Sequence, residues 1–145
     1  MNITRFSDYT LRVLIYLAAH DGEKASAQTI AEAYGISFHH VAKAAQWLAR
    51  EDYVISERGR AGGMTLGRAA ETINIGHILR ATEDGSALVD CMHANGGTCC
   101  IRPSCGLKSA LAQAQTAFYA TLDKFTLADI SAEKTGLRAL LGERR

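Results

Sequence analysis

The sequence predicts a mainly α-helical fold with one small β-hairpin. Its 145 residues include a single proline and few aromatic residues, a composition that favours helices. Two short segments with apolar residues at helical spacing are separated by Gly35, and a glycine-rich stretch further on separates two strand-like segments. A chain of this length forms one domain, or a small domain with an appended arm.

The composition and the distribution of apolar residues predict a folded protein of the cytoplasm. A hydrophobic content of 48% is enough for a folded core. The start of the chain lacks a basic segment followed by an apolar one, and no apolar run reaches the roughly 18 residues that a membrane helix needs. We therefore expect a cytoplasmic protein with no membrane partner. The net charge of +1 does not by itself indicate nucleic-acid binding.

The first helix is predicted to begin at Ser7. This serine can cap the helix, and Asp8 then stands in the first turn, where a carboxylate suits the positive end of the helix dipole. The local sequence favours this role for Asp8 over a functional one. The helix is expected to end near residues 20–22, and its apolar residues recur at helical spacing at Leu11, Leu14, Ile15 and Ala18.

The next two helices are predicted to form a helix-turn-helix. The first follows Ser26 and reaches about Tyr34, where Gly35 suits the left-handed conformation that ends a helix. Ser37 can cap the second, which we expect to cover residues 38–51. Two short helices joined by a tight turn that contains glycine are typical of this motif.

The second of these helices has two distinct faces. One is apolar and is expected to pack inward through Val41, Ala44, Ala45 and Leu48. The other, here called the recognition stripe, consists of His39, Lys43, Gln46 and Arg50. A recognition helix presents such a stripe to the major groove of DNA, but any solvated helix face has one too. We expect His39 and His40 to make polar or phosphate contacts rather than to bind a metal, and Ser37 is a further candidate DNA contact.

A basic hairpin follows the helix-turn-helix. Residues 53–56 and 64–66 are predicted to form its strands, and the glycine-rich loop between them carries Arg58 and Arg60. A hairpin in this position is the wing of a winged helix, whose arginines can contact phosphates or enter the minor groove. The alternative is an ordinary hairpin with solvated arginines. The combination favours DNA binding, and residues 1–83 are assigned to a winged helix-turn-helix DNA-binding domain.

One long helix is predicted behind this domain, after a shorter helix that follows Thr72. Ser104 can cap a helix that runs to about Lys124, with an apolar stripe of Leu107, Leu111, Ala114, Phe118, Leu122 and Phe125. A small winged domain offers little core to cover this stripe, so we expect pairing with the same helix in a homodimer. The alternative is a helix folded back on its own domain. Residues 106–145 are assigned to the dimerisation helix and a C-terminal tail.

Residues 84–105 form a loop that holds all four cysteines. Seven residues separate Cys91 from Cys99, Cys100 is the neighbour of Cys99, and five residues separate Cys99 from Cys105. This spacing lacks the close pair typical of structural zinc, whereas iron–sulfur clusters are held by thiolates on more open loops. Neighbouring cysteines rarely both bind one cluster, so we expect three ligands and one spare thiol. Zinc held by three cysteines and His93, or a set of redox-sensing thiols, is the alternative.

Several motifs together resemble one family along nearly the whole chain. They are FSDYTLRVLIYLA at the start, IAEAYGIS before the third helix, RGRAGGMTLG in the hairpin, INIGHILRATE after it, PSCGLKSAL at the end of the cysteine loop and FTLADI near the C-terminus. In this order they resemble the Rrf-two class of winged-helix transcriptional regulators. The likeness is greatest to the nitric-oxide-sensing iron–sulfur repressors of that class.

The resemblance implies a function and a set of ligands. It implies a DNA-binding repressor, not an enzyme, that binds a two-fold symmetric operator as a homodimer. Cys91, Cys99 and Cys105 would hold the cluster, with Asp8 of the partner subunit as fourth ligand and Cys100 outside the set. A four-iron cluster (4Fe-4S) is favoured over a two-iron cluster (2Fe-2S). Nitric oxide would be the signal; the alternatives are an iron-status regulator, a zinc-stabilised DNA-binding protein without sensing, and a redox enzyme.

Overall fold

The computed structural model describes residues 2–59, 62–83, 87–93 and 95–142, which form seven α-helices and one antiparallel hairpin. In chain order these are α1 (Arg5–Ala19), α2 (Ala27–Tyr34), α3 (Phe38–Arg50), β1 (Val54–Glu57), β2 (Gly63–Leu66), α4 (Ile75–Thr82), α5 (Gly106–Leu122), α6 (Leu127–Ile130) and α7 (Lys134–Gly142). Short 3₁₀ turns lie at Ala70–Thr72, Asp90–Met92 and Arg102–Ser104. The prediction of a mainly helical fold with a hairpin is confirmed. None of the helices in these ranges is long and apolar enough to cross a membrane.

Helix α1 begins earlier than predicted. Thr4 is its cap, because the Thr4 hydroxyl accepts a hydrogen bond from the backbone N–H of Ser7 at 3.2 Å. Ser7 lies inside the helix and is fully buried, and its hydroxyl donates to Glu83. The prediction of Ser7 as the cap is therefore wrong, since this serine faces the core. Asp8 still stands in the first turn, as predicted.

Helices α2 and α3 form the predicted helix-turn-helix. Ser26 caps α2 by accepting a hydrogen bond from the N–H of Thr29 at 3.0 Å, and Gly35 ends it with a φ of +65°. Ser37 precedes α3 as predicted, but its side chain makes no capping hydrogen bond. The apolar face of α3 packs inward as predicted, through Val41, Ala44, Ala45 and Leu48.

Strands β1 and β2 form the predicted hairpin directly after α3. Each strand includes a residue beside the loop that the prediction left out, Glu57 and Gly63, which pair with each other, whereas Tyr53 lies before β1. Ala25, between α1 and α2, exchanges two backbone hydrogen bonds with Met64 of β2, at 3.1 and 2.8 Å. These bonds fasten the hairpin to the helical part of the domain.

Helices α4 and α5 meet where Gly76 lies against Asp123. Gly76 is buried, and a β-carbon at this position would stand 2.8 Å from the backbone nitrogen of Asp123. The absence of a side chain at Gly76 therefore permits the close approach. The Arg80 guanidinium donates to both carboxylate oxygens of Asp123, at 2.6 and 2.5 Å. Helix α4 is thus held against the end of α5, at its start by Gly76 and in its last turn by Arg80.

Helix α5 begins with an apolar residue, Leu107, that the described part of the chain leaves exposed, whereas Tyr119 and Leu122 near its end pack against the core. It begins after Cys105, so the prediction that Ser104 caps it is wrong. Pro103 belongs to a 3₁₀ turn that includes Ser104, and this turn keeps the serine out of the capping position. The structure describes every residue of α5, and none of them is buried. Leu107 remains 63% exposed.

The chain after α5 returns to the N-terminal helices. Helix α6 begins with a capping box between Thr126 and Asp129, and Leu127 is fully buried in the core. Helix α7 packs on α1, where the Arg138 Nε donates to the carbonyl of Ala19 at 2.5 Å. Most of the residues that the sequence placed in a tail are therefore helical as far as residue 142, and α7 packs on α1 and α2.

Candidate DNA-binding face and cysteine loop

The recognition stripe on α3 is accessible from solvent. All candidate contacts on this helix and at its start are exposed: His39, Lys43, Gln46 and Arg50 of the stripe, with Ser37 and His40. The stripe borders a groove between α3 and strand β1. Polar and basic side chains beside such a groove can contact base edges or the DNA backbone. Arg50 is already engaged in part, because its Nε donates to Glu51 at 3.0 Å.

Ser56 is a groove residue that was not among the predicted contacts. It lines the groove together with His39, Lys43 and Gln46. Strand alternation could have indicated it, because Ser56 lies two positions after the buried Val54 and side chains two apart share a side of a strand. Its hydroxyl adds a hydrogen-bonding group on the wing side of the groove.

Helix α1 supports the recognition helix through its first turns. The ring of Phe6 meets that of Trp47 edge to face at a centroid distance of 6.1 Å. The Nζ of Lys43 lies 5.5 Å from the Phe6 ring centroid, and the ring of Tyr9 lies 5.6 Å from that of His40. Two of the predicted DNA contacts, Lys43 and His40, therefore rest against α1.

The wing exposes one of its two predicted arginines in the described part of the chain. Arg58 is exposed, whereas Arg60 lies outside the residues that the structure describes. Arg68, after β2, has a different role. Its guanidinium lies 4.4 Å from the Tyr53 ring centroid and donates, at 2.7 and 3.0 Å, to two carbonyls just beyond α3. Arg68 therefore fastens the wing to the end of the recognition helix.

The four cysteines are free thiols on the segment between α4 and α5. Cys91 stands in a 3₁₀ turn and Cys105 directly before α5, and both are half-buried, while Cys99 and Cys100 are exposed. Among the residues with described positions, no three cysteine, histidine or acidic side chains stand close enough to hold a metal ion. The structure thus places the three predicted cysteine ligands on one loop, without bringing all three sulfur atoms together, and Asp8 on α1.

The chemistry of this donor set fits an iron–sulfur cluster. Such clusters are bound by cysteine thiolates, and the loop offers unpaired thiols at wide spacing. Backbone turns shorten the path between two of them. The N–H of Arg102 donates to the carbonyl of Cys99 at 3.2 Å, and the N–H of Cys105 donates to the carbonyl of Arg102 at 3.5 Å. His93, the alternative zinc ligand, is exposed.

Asp8 is paired with Arg12 within the chain. The Asp8 Oδ1 and the Arg12 Nε are 3.0 Å apart, and this hydrogen bond raises the pKa of Arg12 above its ordinary value. The same guanidinium lies 5.8 Å from the ring centroid of Tyr9 and 5.6 Å from that of Tyr34. The Asp8 side chain is 38% exposed, so a second molecule can reach its carboxylate.

Glu83 joins the base of the cysteine loop to the start of α1. Its Oε1 accepts hydrogen bonds from the N–H of Thr4 at 2.6 Å and from the hydroxyl of the buried Ser7 at 2.5 Å. The helix dipole favours a carboxylate at the N-terminal end of α1. Local sequence patterns could not reveal this contact, because Glu83 is 79 residues from Thr4 and 76 residues from Ser7 in the sequence.

The chain matches a known family over most of its length. A family model described as Rrf2, iron-dependent transcriptional regulator, matches residues 3–133. The HTH-type transcriptional regulator NsrR of Bacillus subtilis (strain 168) is 46% identical over 142 residues, which cover 97% of each chain. NsrR of Geobacillus kaustophilus (strain HTA426) is 42% identical over 146 residues, which cover 100% of this chain and 99% of that protein.

Solved structures of other regulators share the fold. CymR, the global cysteine regulator of B. subtilis, is 26% identical with a TM-score of 0.73, over 92% of this chain and 98% of CymR. IscR of T. potens is 25% identical with a TM-score of 0.72, over 92% of this chain and 88% of IscR. The winged-helix fold and the resemblance are confirmed, and the protein is a DNA-binding transcriptional regulator rather than an enzyme. The chain belongs to the Rrf2 family of iron-dependent transcriptional regulators.

Proposed function

We propose that the protein is a repressor that releases its operator when nitric oxide reaches an iron–sulfur cluster in the cysteine loop. The proposal rests on the position of α1 between the cysteine loop and the recognition helix α3. Glu83, at the base of the loop, binds Thr4 and Ser7 at the start of α1, and the first turns of α1 contact the recognition helix. A change in the loop therefore has a short route to the DNA-binding face. The relatives named NsrR, which match across the whole chain, support the same function.

The DNA partner would be a two-fold symmetric operator. Two recognition helices would enter successive major grooves, one helical turn or a multiple apart, with the recognition stripe toward the base edges. Ser37 and His40, near the start of α3, would contact phosphates. Arg58 and Arg60 would contact the backbone or the minor groove beside each half-site.

A homodimer would supply the two recognition helices. Leu107 at the start of α5 is 63% exposed, and Ile101 just before this helix is 61% exposed. The same helix of a second subunit is the partner that would bury this apolar surface. We expect the dimer to act in the cytoplasm.

The proposed ligands are Cys91, Cys99 and Cys105, with Asp8 of the partner subunit as the fourth and Cys100 outside the set. A carboxylate is a harder iron ligand than a thiolate and exchanges more readily. We propose a 4Fe-4S cluster, with 2Fe-2S as the alternative. When bound, the cluster supplies iron that reacts with nitric oxide.

Ligand exchange at Asp8 would reach the DNA-binding face through Arg12. In the present structure Asp8 pairs with Arg12, and a carboxylate engaged by the other subunit would release that guanidinium. Arg12 lies against Tyr9, whose ring in turn lies 5.6 Å from the ring of His40 on the recognition helix. The same carboxylate thus connects ligand exchange with the placement of a DNA contact.

Operator binding tests the proposal directly. Protein purified without oxygen is measured on its promoter DNA before and after the addition of nitric oxide. We expect operator affinity to fall about 100-fold, which corresponds to roughly 2.8 kcal/mol of coupling. Equal affinity in the two states would contradict the proposal. A visible absorption band from the loaded protein excludes the zinc alternative, because zinc is colourless.

Iron supply is a second candidate signal, since the matching family is described as iron-dependent. The architecture would be the same and only the signal would differ. Titrations of the loaded protein with nitric oxide and, separately, with an iron chelator discriminate between the two. Operator release by nitric oxide under conditions in which the chelator leaves the visible absorption intact favours the first signal. Operator release at low chelator concentration, with nitric oxide having no effect, favours the second.

A further inference from the structure

Two glycines reverse the chain direction in the first half of the cysteine loop, here residues 90–93 and 95–97. Gly96 and Gly97 are both left-handed, with φ of +75° and +60°. A β-carbon on Gly97 would lie 3.0 Å from the carbonyl oxygen of Asp90 and 3.2 Å from the nitrogen of Cys91. Gly97 therefore lies against the backbone of the turn that carries Cys91. The described residues 95–97 are thereby brought back toward Cys91.

Arg102 lies in the middle of the second half of the loop, residues 99–105. Its backbone N–H donates to the carbonyl of Cys99 at 3.2 Å, and its carbonyl accepts from the N–H of Cys105 at 3.5 Å. Arg102 is thus joined through its main chain to two of the three proposed thiol ligands. A displacement of Arg102 would therefore also shift the backbone of Cys99 and Cys105.

The side chain of Arg102 reaches back to the first half of the loop. A β-carbon on Gly96 would stand 2.7 Å from the Cζ of Arg102 and 2.9 Å from its Nη2. The guanidinium therefore covers the α-carbon of Gly96, which is buried although the adjacent Asn95 is exposed. None of the ion pairs formed by described residues involves this guanidinium. Its charge is free to offset the negative charge that thiolates bring to the loop.

We propose that Arg102 is a positioning residue that holds the two halves of the cysteine loop together around the cluster. The inference rests on the proposed function, because it assigns Arg102 to the same centre. A guanidinium is planar and can cover the glycine, whereas the compact ammonium of lysine cannot. Partners that orient metal ligands without touching the metal typically contribute about 10- to 100-fold to metal affinity.

Three variants test this role. Arg102→Gln removes the charge and the planar cover, Arg102→Lys keeps the charge alone, and Lys124→Gln removes an exposed charge at the far end of α5 as a control. In cluster-free protein, we expect hydrogen–deuterium exchange at residues 95–97 to be about 10-fold faster in both Arg102 variants. In loaded protein, we expect an iron chelator to bleach the visible absorption about 10-fold faster in both. The control should match the unaltered protein in both measurements.

Unchanged exchange in Arg102→Gln would overturn the proposal, and so would faster exchange with unchanged bleaching, because closure of the loop would then not serve the cluster. An Arg102→Lys variant that behaves like the unaltered protein would also overturn it, since the planar group would not be needed. These failures differ from a failure of the proposed function. In that case the unaltered protein would keep its operator in the presence of nitric oxide, while the exchange measurements could still succeed.

Discussion

The hydroxyl of Ser7 donates a hydrogen bond of 2.5 Å to the carboxylate of Glu83. Ser7 is fully buried in α1, and Glu83 is the C-terminal cap that follows α4. Hydrogen bonds to charged acceptors are strong, and a buried donor that loses its acceptor is costly. The segment that carries the cysteines is therefore fastened, at its start, to the helix that supports the recognition helix.

Replacing Glu83 with alanine is expected to lower the free energy of unfolding by about 2 kcal/mol. The change leaves the Thr4 amide and the buried Ser7 hydroxyl without this acceptor. Urea denaturation of the cluster-free protein measures the effect. Glu71→Ala, at an exposed position before α4, is the matched control. A loss below about 0.5 kcal/mol, the range of ordinary surface changes, would contradict a structural role for the contact.

The same Glu83→Ala variant is expected to weaken the coupling between the loop and DNA binding. If Glu83 transmits the state of the loop to α1, the ratio of operator affinities for loaded and cluster-free protein should fall from about 100-fold to below about 10-fold. Fluorescence anisotropy on operator DNA measures the ratio in both proteins. A ratio equal to that of the unaltered protein, with the cluster still bound, would mean that the signal takes another route.

Arg58→Ala is expected to weaken binding to all DNA sequences alike. Arg58 is exposed on the wing, and contacts to phosphates position a protein without reading bases. The slope of log affinity against log salt concentration should decrease in magnitude by about 1. Titrations on operator and unrelated DNA at several salt concentrations provide both values, with Lys124→Ala as the control. A changed base preference with an unchanged slope would assign Arg58 to base recognition instead.

Local signals were enough to predict the DNA-binding half of the fold. Ser26 and Gly35 begin and end α2 as expected, because caps and left-handed ends act within a few residues. The predictions failed where a residue far away in the sequence determines the role of a side chain or the packing of a helix. Ser7 has the chemistry of a cap, yet its hydroxyl is taken by a carboxylate 76 residues away. Helix α7 is held to α1 by a hydrogen bond between Arg138 and Ala19, 119 residues apart.

The cysteine loop shows how far sequence can go at a site. The sequence places all four cysteines on one segment, and in the structure this segment lies between α4 and α5. The turn at Pro103, which displaces Ser104 from the capping position, depends on the conformation of the loop itself. The guanidinium of Arg102 reaches Gly96 across that loop, and residue spacing does not encode such a contact.

A comparison of two serine variants tests the assignment of ligands. Cys105→Ser is expected to abolish the visible absorption band of the anaerobically purified protein, because an alcohol is a poor substitute for a thiolate ligand. Cys100→Ser is expected to retain both the band and the response to nitric oxide. Iron content per chain provides an independent measurement. Loss of the band in Cys100→Ser with retention in a Cys99→Ser variant would move the ligand by one position.

The Arg80–Asp123 pair is expected to stabilise the protein in a pH-dependent manner. The hydrogen bonds from Arg80 lower the pKa of Asp123 below its ordinary value. Because the pKa is lower in the folded state, the stabilisation is complete above the unfolded pKa of about 3.9 and is lost as the pH falls through the folded value. The melting temperature of Asp123→Asn should therefore lie below that of the unaltered protein at neutral pH, and the difference should close in acid.

Melting curves recorded from about pH 7 down to about pH 2 measure this difference. Glu71→Gln, which removes an exposed acid before α4, is the control and should show no comparable gap. The Asp123 carboxylate and the Arg80 guanidinium are 2.5 Å apart at the contact between α4 and α5, so the gap reports on how firmly α5 is attached to the domain. A gap of constant size at every pH would mean that Asp123 acts through its shape and not through its charge.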